Sequence, residues 1–133
     1  MNANATNFPQ VTIQPGRYSY AQPRYQDRHL ELDFAMEMVC LDSNRLVLTR
    51  KEFELLALLV GNAGEIIPRE TLLMRVWGYS KQIRTRTLDV HIRRLRKKLG
   101  NYAGLYIETI FGVGYRFQPF RERSEFFAGH AVA

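Results

Sequence analysis

Arg86, Arg93, Arg94, Arg96 and Lys97 stand close together in the chain, and their shared chemistry is the binding of anions. A guanidinium presents a planar fork of donors that matches two phosphate oxygens, or the two acceptors on the major-groove edge of guanine. At helical spacing these residues separate from their apolar neighbours. Leu88, Ile92, Leu95 and Leu99 fall within about 60° of one another and form a core stripe. Arg86, Val90, Arg93 and Lys97 lie roughly opposite, with Thr87 and Arg94 on one flank of that face and Asp89 on the other. A face that is only solvated normally mixes signs in i, i+4 pairs. Here Arg93 and Lys97 repel, and Val90 sits in mid-face, where an aliphatic group can meet a thymine methyl.

The charge is concentrated on this region. The chain has 133 residues and a net charge of +6. Between Thr71 and Ile107 there are nine basic residues and one acid, Asp89, so that window is +8 and the remainder is mildly acidic. Such a patch suits a polyanion. A membrane surface is disfavoured, because the apolar stripe is narrow, and no run approaches the length of a span. One cysteine, Cys40, excludes an intrachain disulfide and a cysteine-based zinc site and fits a reducing compartment. His91 has no second ligand one helical turn away, so no metal and no cofactor are expected. No hydrolase elbow, phosphate loop or Cys/His pairing appears, which argues against an enzyme. The N-terminus lacks the basic head and apolar core of a signal peptide.

The elements that must position this face follow from local pattern. Residues 1–27, with three of the five prolines, read as a flexible arm or linker. Tyr18, Tyr20 and Tyr25 lie there among Arg17, Arg24 and Arg28. A domain over 28–120 then begins with strands at 30–34, 38–41 and 45–48. Thr49 with Glu52 forms a capping box for a helix whose stripe is Phe53, Leu56, Ala57 and Val60. Residues 65–67 are an extended link. Pro68 suits the first position of a second helix, with Leu72, Leu73, Val76 and Trp77 inward and Gly78 as its stop. After a loop, Thr85 caps a third helix over 85–99. Strands at 106–110 and 115–117 flank Gly112-Val113-Gly114 as a hairpin. Residues 121–133 read as a tail, in which Phe126-Phe127 could dock on a partner. The fold class is therefore α+β: a winged helix-turn-helix with an N-terminal antiparallel sheet, three helices and a C-terminal β-hairpin wing.

Three segments in order, LTRKEFELLALLVGNAGEIIPRETLLMRVWG, RTLDVHIRRLRKKLG and YIETIFGVGYRF, resemble the OmpR/PhoB family of bacterial winged-helix transcription regulators over about residues 29–118. The resemblance implies a four-stranded N-terminal sheet and a third helix that enters the major groove of double-stranded DNA. It implies base contact by Arg94, tuned by Thr87, Asp89 and Val90. Phosphate contacts fall on Arg86, His91, Arg93 and Arg96, joined by Lys97 on the same helix, and on Arg69, Trp77, Thr109 and Tyr115 around the groove. Phe111 and Arg116 are assigned to the wing tip. Many relatives have an arginine where this chain has Phe111. The loop residues Tyr79, Ser80, Lys81 and Gln82 match a segment that touches RNA polymerase in family activators. Two copies are expected head to tail on direct repeats, in the bacterial cytoplasm at the nucleoid. Family response regulators carry a phosphoacceptor receiver domain before the DNA-binding domain, in a two-component phosphorelay. About 28 residues precede the sheet here, too few for one. A rival reading is a basic protein that coats nucleic acid without sequence preference.

Overall fold

Tyr25, Leu32, Val39 and Leu46 stand opposite one another on four successive strands, and this row is the inner face of the N-terminal sheet. The computed structural model describes residues 11–14, 17–20 and 24–121. Strands β1 (Val11–Gln14) and β2 (Arg17–Tyr20) pair as an antiparallel hairpin. Strands β3 (Arg24–Gln26), β4 (Leu30–Asp33), β5 (Met38–Leu41) and β6 (Asn44–Leu46) form an antiparallel meander in chain order. Leu30 and Leu32 are fully buried while Glu31 and Asp33 turn away, the alternation a one-sided sheet requires. Asp42 and Ser43, both at positive φ, make the two-residue turn between β5 and β6, as a type I′ hairpin does.

The sheet thus has the fourth strand implied by the family resemblance, and that strand lies inside the segment read as an arm. Its signal is a single tyrosine between Arg24 and Gln26, too short for a period of two to register. Tyr25 is 1% exposed. Its ring packs edge-on against Phe117, which also stacks on Tyr106. The third strand ends at Leu46 rather than residue 48, and Val47 is exposed. The expectation for Phe126-Phe127 lies outside the described residues.

Asp27 joins the ends of the domain. Its carboxylate accepts from the hydroxyls of Tyr25 (2.6 Å) and Tyr106 (2.7 Å) and from the backbone N–H groups of His29, Leu30 and Phe120. Burial and the neighbouring Asp27 push both tyrosine hydroxyls far above their ordinary ionisation range.

Helix α1 (Arg50–Gly61) starts at Thr49 with the expected capping box. The Thr49 hydroxyl accepts from Glu52 N–H (3.2 Å), and Glu52 Oε1 accepts from Thr49 N–H (2.9 Å). The helix is buried well beyond its predicted stripe: Leu55, Leu58 and Leu59 are inside too. It is the central rod of the core, packed against α2 (Arg69–Trp77), α3 (Thr87–Leu99) and the last strand. A helix wrapped on most sides carries little amphipathic signal, so one stripe under-reads it.

Residues 66–68 form strand β7 (Ile66–Pro68), with Pro68 serving as N-cap of α2 rather than its first residue. After α3 comes a 3₁₀ turn (Gly100–Tyr102) and a short helix α4 (Ala103–Tyr106) that the pattern did not predict. Strands β8 (Ile107–Ile110) and β9 (Gly114–Phe117) follow. They form a three-stranded sheet in the order β7-β9-β8. Gly114 is not part of the turn. It faces Pro68 across the pair, where a Cβ would stand 2.0 Å from the Ile67 carbonyl oxygen, so only glycine lets β7 and β9 approach.

Candidate nucleic-acid interface

Leu88, Ile92, Leu95 and Leu99 are all at most 2% exposed, so the stripe predicted from spacing is the face α3 buries. Its opposite side carries the chemistry. Arg86, Arg93, Arg94 and Lys97 are exposed, and none of their side chains makes a hydrogen bond or ion pair with another described residue. Val90 and Thr87 lie half-buried beside them. The helix begins at Thr87, two residues later than expected. Thr85 still serves the helix start: its hydroxyl accepts from Thr87 N–H at 3.1 Å and bonds the Thr87 hydroxyl at 2.7 Å. Arg86 is the N-cap and has no side-chain capping bond.

Three polar side chains from three elements meet at the first turn of α3. Arg69, at the start of α2, donates from Nη1 to Asp89 Oδ1 at 2.6 Å, and the Tyr115 hydroxyl of β9 donates to the same oxygen at 3.2 Å. The Arg69 hydrogen bond leads in holding the Asp89 carboxyl below its usual range, and the same bond raises Arg69 further. Burial, then the Asp89 charge, push the Tyr115 hydroxyl up. The family resemblance gives Asp89 a base edge and Arg69 a phosphate. In this structure they are partners of each other, and together they fix where α3 starts relative to α2 and the wing.

Arg96 is likewise engaged. Its Nη2 donates to the Ile107 carbonyl (2.9 Å) and the Thr109 hydroxyl (2.7 Å), and its guanidinium lies 5.8 Å from the Tyr115 ring centroid. It ties mid-α3 to β8. His91 packs edge-on against Trp77, with centroids 4.8 Å apart. His91 Nδ1 lies 2.8 Å from the Thr87 carbonyl. A carbonyl only accepts, so Nδ1 carries the proton and Nε2 remains for an outside partner. Trp77 is half-buried, and its indole N–H bonds no described residue.

At the far end of α3, Lys98 donates to Glu52 Oε1 (2.6 Å) and to the Val47 carbonyl (2.9 Å). Glu52 is 1% exposed. Burial by itself would raise its carboxyl. The Lys98 hydrogen bond, the Thr49 N–H and the Lys98 charge outweigh it and leave the group lowered. One carboxylate therefore caps α1 and anchors the C-terminal turn of α3. Sequence reading assigned Glu52 only the first task, because Lys98 is distant in the chain.

Arg116 is not at the wing tip. It lies within β9 opposite Glu108 of β8, and Nε donates to Glu108 Oε1 at 2.9 Å. That bond, with Gln118, holds Glu108 below its usual range. The tip is Phe111, in a turn closed by Val113 N–H to the Ile110 carbonyl. In the α2–α3 loop, Ser80, Lys81 and Gln82 are exposed, whereas Tyr79 packs partly against the core.

The N-terminal sheet, the helix triplet and the wing recur in known proteins. The family model described as transcriptional regulatory protein, C terminal, matches residues 43–117. The chain belongs to that family. Among solved structures, this OmpR/PhoB-type effector domain is similar to the response regulator DrrB of Thermotoga maritima, an OmpR/PhoB homologue. The TM-score is 0.66 at 36% identity, covering 73% of this chain and 45% of that one. It is also similar to the DNA-binding domain of Klebsiella pneumoniae RstA, solved in complex with the RstA box, with TM-score 0.69 and 32% identity over 74% of this chain and 100% of that one. The transcriptional regulatory protein VxrB of Vibrio cholerae is 44% identical over 88 residues, 66% of this chain and 35% of that protein. The chain thus spans about a third of that relative's length. Among the described residues no helix is long and apolar enough to cross a membrane, and no His, Cys, Asp and Glu cluster is placed to hold a metal ion.

Proposed function

We propose that this chain is a sequence-specific double-stranded DNA-binding domain that regulates transcription, with α3 in the major groove. The observation that carries it is the division of labour among the cations of α3. Lys98 and Arg96 are consumed in holding the helix, and Asp89 in positioning its first turn. Arg86, Arg93, Arg94 and Lys97 are left exposed on the side opposite the core. Arg94 reads a base edge, with Val90 and Thr87 beside it. Arg86, Arg93, Lys97 and the indole N–H of Trp77 meet phosphates, and His91 joins them in its imidazolium form, in which Nε2 also carries a proton to donate. The arrangement suits a duplex, because a rigid helix presenting one convex cationic face matches a major groove. The RstA domain was solved on its DNA box, which supports the same use here.

Two copies bind head to tail on direct repeats about one helical turn apart, and the exposed loop residues Ser80, Lys81 and Gln82 face RNA polymerase. Selection of bound duplexes from a random pool, followed by a salt titration on winners and scrambled controls, tests the reading. One recurrent motif at moderate salt is expected. Enrichment of no motif, with affinity set by salt alone, would establish the nonspecific coating protein instead.

A further inference from the structure

Phe111 is 90% exposed, the most exposed large apolar side chain among the described residues. The phenyl does not pack back on its own hairpin. It stands in the turn from Ile110 to Val113, followed by Gly112 at φ +78. A type II turn needs positive φ at that third place. Val113 beside it is 43% exposed. From Leu105 to Phe117 the hairpin has two charged residues, Glu108 and Arg116, and they are paired with each other. The wing therefore offers a polyanion no unpaired cation.

The tip is nevertheless fixed beside the α3 face. Arg69 N–H donates to the Val113 carbonyl at 3.0 Å while the Arg69 guanidinium grips Asp89. Arg96 holds the base of the hairpin through Ile107 and Thr109. When α3 occupies a groove, Phe111 is carried onto the same duplex.

We propose that Phe111 is a specificity-determining wedge: it enters the minor groove next to the α3 site and partly unstacks a flexible pyrimidine–purine step. The proposal rests on the reading of α3 given above. A minor groove is about 6 Å wide and takes a flat ring edge-on. Apolar side chains of this kind unstack base steps, and TA and CA/TG steps yield most easily. An arginine at this place would select the narrow, strongly negative groove of A-tracts. A phenyl selects deformability instead. A protein partner fits less well, because a specific interface buries about 800 Å² on each side and one phenyl with a half-exposed valine offers a small part of that.

The test uses the full chain and a duplex carrying the selected core motif. The flank under the wing is varied between TA, CA and an A-tract, with 2-aminopurine at the varied step. The chain is expected to favour TA or CA flanks and to raise 2-aminopurine fluorescence there. F111A is expected to lose that preference by about five- to tenfold, the scale of one aromatic contact, and to lose the fluorescence change. F111R is expected to turn the preference toward the A-tract. Because the side chain is exposed, unchanged thermal melting of both variants separates the effect from misfolding. Equal affinity for all three flanks, or F111A indistinguishable from the parent in both readouts, overturns the wedge while leaving α3 recognition intact. Failure to select any core motif overturns the α3 reading itself. If F111A alters self-association without DNA, and not flank preference, the phenyl belongs to a contact between copies and the wedge is wrong.

Discussion

Asp89 of α3 and Arg69 of α2 form an ion pair at 2.6 Å, so the single acid in the basic window is bound within the protein. The pair sets the approach of the first turn of α3 to the wing, since Tyr115 joins it from β9. A lone acid amid cations would only weaken polyanion binding. One that aligns the helix does more for selective binding than its charge costs.

D89N therefore separates charge from position. The variant has one more net positive charge, and charge alone predicts tighter binding to every duplex. Loss of alignment predicts weaker binding to the selected site, with nonspecific affinity unchanged or raised. The second outcome is expected, measured as the ratio of the two affinities. Both side chains are more than a third exposed, so stability should fall by only about 0.5–1 kcal/mol. Because the folded Asp89 carboxyl is lowered, the pair stabilises the fold at pH above the ordinary carboxylate value of about 4. That contribution disappears as pH falls through the lowered value. An acid titration of parent and D89N, followed by circular dichroism, should show the curves converging at low pH.

Arg94 and Arg93 are neighbours with different assignments. R94A should lose about 1–3 kcal/mol of discrimination at one base position, leaving other positions unchanged. R93A should weaken all sequences alike and reduce the slope of log affinity against log salt by about 1. Binding curves on single-base variants of the selected site decide between them. Identical profiles for the two variants would show that the assignment is wrong.

Lys98 and Glu52 give an asymmetric pair of variants. K98M leaves Glu52 buried with one partner fewer and should cost about 2–3 kcal/mol, somewhat under the range for breaking a fully buried pair because Lys98 is partly exposed. E52Q keeps the capping box, which accepts glutamine, and should cost about 1 kcal/mol. Urea midpoints at constant m value measure both. No loss of stability in K98M would mean that the carboxylate serves only as a cap.

Gly114 should tolerate no side chain. In G114A the added carbon meets the Ile67 carbonyl oxygen, so β7 and β9 must part. Core overpacking of this severity costs about 1–3 kcal/mol or more. Amide exchange should show the loss concentrated at Ile66–Pro68 and the wing. G112A, in open space but at positive φ, should cost about 1 kcal/mol and leave the β7–β9 pair protected.

Much of this molecule was determined by local sequence. The capping box at Thr49, the stop at Gly78, the α3 core stripe and the order of helices and hairpin depend on residues a few positions apart. Spacing alone therefore carries them. The exposed cations opposite the stripe were legible for the same reason, because a helix with one buried face fixes what lies behind it. Tertiary structure decided the rest. Tyr25 looks like one aromatic in a polar arm until Phe117 and Leu32 surround it. Asp27 looks like a linker residue until Tyr106 and Phe120 arrive from the other end of the chain. Most of all, it decided which charges are free. Asp89, Arg69, Arg96, Lys98 and Arg116 read as surface charges in a list of residues, and each is held by a partner on another element. A long charged side chain selects its partner from whatever packing brings within about 3 Å, and no spacing along the chain encodes that distance.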